Sequence, residues 1–214
     1  MQTILRYFSL LALISVLPAY AEEAQPCDQR VIATVAHWAG IKGKLISRDE
    51  PGGLLAATAC KAMPHAPTTT IVAIAFDTDH PDPGKRDGNK VQQVVAMVED
   101  GKVVAAARSV VEEDAATLFG SYRIDTAPYI LSPTIRAFGV LFQSSAIAPS
   151  FVDASAENEL TLWIRDGDHL RAVFGTNVSG WVAADEVSEG PGPGYTHSES
   201  ADMTVSSFFY CGLI

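Results

Sequence analysis

The stretch VQQVVAMVEDGKVVAAARSV, residues 91–110, decides the fold of this chain, because two apolar runs flank an Asp-Gly pair. Asp100 and Gly101 both tolerate the positive φ that a type I′ turn requires. We therefore expect the runs 91–98 and 103–110 to form two antiparallel strands joined by this turn. The stretch predicts a β-hairpin.

A second stretch, LTLWIRDGDHLRAVF at residues 160–174, repeats the same arrangement. Leu160, Leu162 and Ile164 alternate with other residue types, which is the two-residue period of a strand. The Asp-Gly pair at 166–167 then turns the chain into another alternating run. This stretch predicts a second hairpin.

Further strands are expected on both sides of these hairpins, at residues 68–76, 122–125, 135–143 and 203–210. Pro128 and Pro133 mark a corner, because a central strand does not tolerate proline. About eight short strands without regular helix alternation favour a mainly β fold. We expect a single antiparallel β-sandwich or an open barrel.

Two short helices are expected before these strands. Residues 28–38 carry Val31, Val35 and Trp38 at helical spacing. The β-branched residues within 31–35 keep a strand open as the alternative. Residues 54–63 are rich in alanine, which favours a second helix.

The predicted organisation is therefore a small N-terminal helical or irregular segment, residues 22–66, followed by a β-rich domain, residues 67–214. The first 21 residues are typical of a signal peptide. Arg6 precedes an apolar run at 8–17, and Ala19-Tyr20-Ala21 matches a cleavage site. The run is too short to span a membrane, so we expect a periplasmic or secreted protein with no transmembrane segment in its mature chain.

The charge of the chain is distinctly acidic. Its formal charge is −10, and removing residues 1–21 takes away Arg6 and no acid, which makes it −11. Negative charge repels phosphate backbones and anionic lipid headgroups, so nucleic-acid and membrane-surface binding are disfavoured. Another envelope or secreted protein is the expected partner.

The chain has three cysteines, Cys27, Cys60 and Cys211. An oxidising compartment would pair two of them. A Cys27–Cys60 bond would tie the N-terminal segment to the body, whereas Cys60–Cys211 would join the two ends of the core, and the sequence leaves both open. No two cysteines have C-x-x-C spacing, so neither a redox pair nor a metal cluster is expected.

Clustered acids make calcium the one metal worth considering. Carboxylate oxygens on a loop are the ligands that Ca²⁺ prefers. The candidate ligands are Asp77, Asp79, Asp82 and Asp87. Prolines at 81 and 83 do not fit an EF-hand loop, and Lys85 and Arg86 compete for the same carboxylates. The alternative is therefore a solvated loop that binds no metal. No other cofactor is expected.

A second acidic run, residues 112–114, precedes residues 115–119. We expect it to form the first turn of a helix, where the helix dipole favours negative charge. Catalytic work would require two acids to meet across one bond, which adjacent acids do not establish. Neither a G-x-S-x-G motif nor closely spaced histidines occur, so no catalytic residue is assigned.

Three aromatic residues are candidates for a recognition surface: Trp163, Trp181 and Tyr129. Trp163 alternates with Leu162 and Ile164, so it lies on the other face of its strand. It would face a partner in a two-layer sandwich, unless another element covers it.

Several segments resemble a known family. SYRIDTAPY at 121–129 and RAFGV at 136–140 are similar to poorly characterised exported proteins of Gram-negative bacteria, as are NELTLW at 158–163 and FGTN at 174–177. The family has no established reaction, so the resemblance implies export and assigns no catalytic residue. Its members tend to carry a cysteine near the position of Phe151, and this departure leaves the partner of Cys60 open.

These observations predict an exported, non-enzymatic protein that binds another protein in the periplasm. One alternative is an immunity-type inhibitor of a toxin that acts in the cell envelope. The other is an envelope hydrolase that uses the carboxylates at 77–87 or 112–114.

Overall fold

The computed structural model describes residues 25–79, 88–114, 117–145, 154–185 and 196–202, and only the backbone of 154–157, 180–185 and 196–202. These ranges contain one helix and ten strands. The helix is α1, Gln29–Ala39. The strands are β1 Lys44–Ser47, β2 Gly53–Met63, β3 Ala66–Asp77, β4 Lys90–Glu99, β5 Lys102–Glu112, β6 Phe119–Ser132, β7 Ile135–Ser144, β8 Ala154–Asp166, β9 His169–Asp185 and β10 Thr196–Asp202.

The strands form one sheet in the order β1-β2-β3-β4-β5-β9-β8-β7-β6, with β10 paired to β9. The sheet curves into a half-barrel. The prediction of a mainly β fold with a small N-terminal helix is confirmed, and the sheet takes the open form. It is mixed and not purely antiparallel, because β1 runs parallel to β2 and β5 parallel to β9.

Both predicted hairpins are confirmed. The turn between β4 and β5 has positive φ at Asp100 and Gly101, 48° and 72°. The turn between β8 and β9 has a positive φ at Gly167, 66°. Local turn chemistry therefore determines these two strand pairings.

The helical interpretation of residues 28–38 is also confirmed. The Asp28 side chain accepts a hydrogen bond from the backbone N–H of Arg30 at 2.7 Å and caps the start of α1. Gly40, with φ 73°, ends the helix. The apolar side of α1 packs on the outer face of β2–β5, where its buried neighbours include Val72, Ile74, Val94 and Ala96.

The second predicted helix, residues 54–63, is wrong, because this segment is strand β2. Its alanines face a layer of large rings inside the half-barrel. Pairing along the whole of β3 outweighs the weak intrinsic helix preference of alanine. The segment belongs to the sheet.

The inner face of the half-barrel combines small residues with large ones in a single buried cluster. The small residues lie on β2–β5 and are Ala57, Ala59, Ala73, Ala75 and Ala105. The large residues lie on β6–β8 and include Phe119, Tyr122, Phe138, Phe142 and Trp163. Small side chains opposite large rings fill the narrow interior of a strongly curved sheet.

Curvature brings β6 back beside β2, and side chains bridge the seam between them. Gln25 donates from Nε2 to the carbonyl of Ile124 at 2.9 Å and accepts from the Ile124 N–H at 2.6 Å. The Gln25 carbonyl accepts from the N–H of Cys60 at 3.0 Å. No strand pairing joins β2 to β6 within the described ranges, so the hydrogen bonds of Gln25 connect the two strands in place of backbone pairing.

Cys27 and Cys60 form a disulfide, which is one of the two pairings that the sequence left open. The bond fixes the segment after Gln25 to β2. A disulfide is compatible with an oxidising compartment. Cys211 lies outside the described residues.

The proline corner is present at the edge of the sheet. Pro128 lies within β6, where the register against β7 shifts between Asp125 and Tyr129. Pro133 lies in the β6–β7 turn. β6 is the terminal strand of the sheet and therefore tolerates a residue without an N–H.

Two other expectations fall near the limits of the described ranges. The helix predicted at 115–119 is wrong for Phe119, which is the first residue of strand β6. The strand predicted at 203–210 lies outside the described residues. Within the described ranges, no helix is both long enough and apolar enough to cross a membrane.

We predict that Gln25→Ala lowers the free energy of unfolding by about 1–3 kcal/mol, because the Ile124 N–H loses its side-chain acceptor and the Ile124 carbonyl keeps only the longer hydrogen bond from Lys61 Nζ, at 3.4 Å. Urea denaturation measures this loss. Gln143→Ala is the matched control, since the exposed Gln143 amide bonds only to Ser121 in the described hydrogen bonds and should change stability by less than about 0.5 kcal/mol. Equal effects of the two substitutions would contradict the role of Gln25.

Candidate functional site

A cluster of buried charges lies where several strands begin or end. Arg48 follows β1, Asp77 ends β3 and Glu113 follows β5, while Asn89 precedes β4. All four residues are buried, and Glu113 has no exposed surface. The sequence places these residues up to 65 positions apart, and the curvature of the sheet brings them together.

Glu113 is at the centre of this cluster. The Arg48 guanidinium donates to both of its oxygens, each at 2.9 Å, in a two-pronged ion pair. Asn89 donates from Nδ2 to Oε2 at 3.0 Å, and the Phe119 N–H donates to Oε1 at 2.8 Å. The Asp77 carboxylate lies 3.5 Å from Arg48 Nη1.

These contacts keep the carboxyl group of Glu113 ionised. Burial alone would raise its pKa, but hydrogen bonds from Arg48, Phe119 and Asn89, together with the Arg48 charge, lower the pKa below the ordinary value of 4.5. Both carboxylate oxygens are occupied by donors. The arrangement is therefore suited to holding strand ends in place, and it leaves no lone pair directed at a substrate.

The predicted calcium ligands do not come together in the described part of the chain. Asp77 lies in the buried pair with Arg48, and Asp79 is exposed. Asp82 and Asp87 lie outside the described residues. Within the described ranges, no three acidic, histidine or cysteine side chains form a group that could hold a metal ion.

The three aromatic candidates for a recognition surface do not come together in the described structure. Trp163 lies on the opposite face of β8 from Leu162 and Ile164, as expected, but it packs against the inner cluster of the half-barrel. In the described structure it therefore faces the interior. Trp181 belongs to β9, and its side chain lies outside the described atoms.

Tyr129 is buried in a third cluster, on the other face of β6–β9. Its hydroxyl donates to Asp125 Oδ2 at 2.5 Å, and the Ala127 N–H donates to Asp125 Oδ1 at 2.8 Å. Burial and the neighbouring Asp125 raise the pKa of Tyr129. These contacts stabilise the proline corner.

A different set of residues forms an exposed surface where α1 meets β5. Trp38 is 42% exposed and Val110 is 61% exposed. The Arg108 guanidinium carbon lies 5.2 Å from the centroid of the Trp38 ring, a cation–π contact. We call Trp38, Arg108 and Val110 the α1–β5 patch.

The sheet register explains this patch. Arg108 pairs with Val94 and Val110 pairs with Gln92, so these four side chains lie on the outer face that α1 covers. The helix ends at Ala39 and leaves the far end of β5 uncovered. None of the ion pairs within the described ranges involves Arg108.

No local sequence pattern indicated this patch. Trp38 fitted the apolar spacing of a helix, and Arg108 and Val110 belonged to a strand. Only the packing of α1 on the sheet joins positions separated by 70 residues. Among the residues with described side chains, the other large exposed apolar ones are Ile130, Ile135 and Phe174, on β6, β7 and β9.

Comparison of the chain with models of protein families, with curated proteins and with solved structures gave no match. The described geometry is therefore the basis on which we infer a function. The resemblance to exported proteins stays a prediction.

We predict that Glu113→Gln destabilises the fold by about 3–5 kcal/mol, because Arg48 then keeps a buried charge without its main partner. Denaturant unfolding at neutral pH measures the change. Glu112→Gln is the matched control: the neighbouring carboxyl group is exposed, so its loss should cost less than about 0.5 kcal/mol.

The pH dependence of unfolding gives an independent check. A folded-state pKa below 4.5 means that Glu113 contributes stability above that pH, and the contribution is lost as the pH falls through the lowered pKa. The stability difference between the native sequence and Glu113→Gln should therefore narrow as the pH falls below about 4.5. A difference that is constant from neutral pH to strong acid would contradict this role.

Proposed function

We propose that this protein is an exported, non-enzymatic module that binds another protein through the α1–β5 patch. The observation that carries the proposal is the exposure of Trp38 and Val110 together with the contact of Arg108 with the Trp38 ring. Trp and Arg are the residue types most enriched among side chains that dominate binding energy. No ion pair in the described ranges engages the Arg108 charge.

The residues of the α1–β5 patch lie on a helix and a strand, not on loops. Trp38 lies in the last turn of α1, whose buried residues include Val35 and Ala39. Arg108 and Val110 lie on β5, which pairs with β4 along its length. The backbone of a packed helix or a paired strand is already ordered before binding, so the patch loses little backbone freedom when a partner binds, which supports affinity.

The chemistry of the patch indicates what the partner would offer. Trp38 and Val110 would receive apolar side chains, and Arg108 would receive a carboxylate. Glu112 and Lys90 are cross-strand neighbours beside Val110 and Gln92, and both are exposed. They would form a polar rim around the apolar centre, the usual arrangement of a protein interface.

The proposed compartment is the periplasm or the medium outside the cell. The signal-peptide pattern at residues 1–21 and the Cys27–Cys60 disulfide support it. A toxin that acts in the cell envelope would be one partner of the proposed class, and the identity of the captured protein would decide this.

The hydrolase alternative receives less support. Asp77 and Glu113 belong to its two proposed carboxylate groups, and both lie in the buried cluster around Arg48. Glu113 uses both oxygens to accept hydrogen bonds. A general acid or base needs an oxygen that can reach the substrate.

We predict that Trp38→Ser and Val110→Ser each weaken partner binding by about tenfold or more, which corresponds to about 1.4 kcal/mol. The unsubstituted mature chain and each variant would be used as bait against envelope extracts of the source organism. Isothermal titration with the purified partner then measures the dissociation constants.

Ile130→Ser is the matched control, because it removes an exposed apolar side chain, 58% exposed, from β6. It should leave both capture and affinity unchanged. Loss of the partner by all three variants would show a general folding defect, which unfolding curves would reveal. Retention of the partner by Trp38→Ser and Val110→Ser would contradict the proposed surface.

A further inference from the structure

The Cys27–Cys60 disulfide lies directly beside the Gln25 contacts that join β2 to β6. Gln25 is two residues before Cys27, and its carbonyl accepts a hydrogen bond from the Cys60 N–H at 3.0 Å. Cys60 is therefore connected to this short segment twice, once through its backbone and once through its sulfur. Both cysteines are only partly buried. The disulfide thus fixes the position from which the Gln25 side chain reaches β6.

The Gln25 side chain spans the seam and ends on Ile124, a residue that is 1% exposed and belongs to the inner cluster. The Ile124 carbonyl accepts from Gln25 at 2.9 Å and also from Lys61 Nζ of β2 at 3.4 Å. The Ile124 N–H donates to Gln25 Oε1 at 2.6 Å. Protection of this amide proton from exchange therefore depends on the position of Gln25.

The helix that follows Gln25 has its own anchor. Residues Ile32 and Val35 of α1 are buried against the outer face of the sheet. Without the disulfide, Gln25 would stay joined to this helix through residues 26–28 and could leave Ile124 while α1 remains packed. A cross-link only two residues away keeps the effective concentration of the Gln25 amide at Ile124 high.

We propose that the Cys27–Cys60 disulfide is a redox-sensitive latch, which holds Gln25 on Ile124 and keeps the seam between β2 and β6 closed. A dithiol reductant opens the latch: the S–S bond takes two electrons and two protons and becomes two thiols, while the dithiol is oxidised to a disulfide. An oxidising compartment closes the latch again. The seam is separate from the α1–β5 patch, so the latch does not depend on the proposed function.

Opening of the latch is expected to be local. The Phe119 N–H donates to Glu113 Oε1 at 2.8 Å, and the Phe119 carbonyl accepts from Arg48 at 3.3 Å. Neither contact involves Gln25 or the disulfide, so both should persist after reduction. The amides of Ile124 and Phe119 therefore distinguish a latch on the seam from a general stabilising effect of the cross-link.

Hydrogen exchange of the oxidised and reduced protein, measured residue by residue, tests the latch. The full-length chain carries Cys211→Ser, which leaves Cys27 and Cys60 as its only cysteines. Dithiothreitol reduces the bond, and alkylation with peptide mass spectrometry verifies both states. We expect reduction to speed exchange of the Ile124 amide by about tenfold or more, while the amides of Phe119 and of the β3–β4 ladder change by less than about twofold.

Gln25→Ala in the same background is the matched control, because it removes the side chain through which the latch acts. Its Ile124 amide should exchange rapidly in both states, and reduction should change that rate by less than about twofold. An Ile124 rate that reduction leaves unchanged in the chain with Gln25 would overturn the proposal.

Two other results would overturn it as well. Equal acceleration of the Ile124, Phe119 and β3–β4 amides would mean that the disulfide stabilises the whole fold and not the seam. An effect of reduction on Ile124 that persists in Gln25→Ala would mean that the disulfide acts on β6 without Gln25.

Discussion

The closure of this sheet depends on a buried ion pair that acts on the backbone of one residue. Arg48 enters from the β1 end of the strand order, and Glu113 leaves β5. Glu113 accepts from the Phe119 N–H, and Arg48 donates to the Phe119 carbonyl at 3.3 Å. The pair therefore holds both backbone groups of the first residue of β6, which is the opposite end of the sheet.

Gln25 repeats this arrangement further along the same strand, with its side-chain amide on both backbone groups of Ile124. The two contacts replace a strand ladder with side chains at the seam between β2 and β6. They hold β6 so that Phe119, Tyr122 and their neighbouring rings pack against the alanines of β2–β5. The outer face then remains for α1, whose last turn places Trp38 beside Arg108.

Those parts of the fold that depend on neighbouring residues were predictable from the sequence. The two Asp-Gly hairpins follow from turn chemistry, and α1 follows from its cap and spacing. Strand β2 was not predictable, because its alanines favour a helix until the aromatic layer of β6–β8 is present. Glu113, Arg48 and Gln25 have partners 65 to 99 residues away, and no local pattern indicates such contacts. The α1–β5 patch was missed for the same reason.

Hydrogen exchange measured residue by residue by NMR is the most direct test of closure by side chains. On their open edge, the amides of Phe119 and Ile124 donate to Glu113 and Gln25 and not to a strand. If the account is correct, both amides exchange as slowly as the ladder amides of β3 and β4. Exchange of both at the rate of unstructured peptide, with the β3–β4 amides protected, would contradict it and would mean that the seam is open in solution.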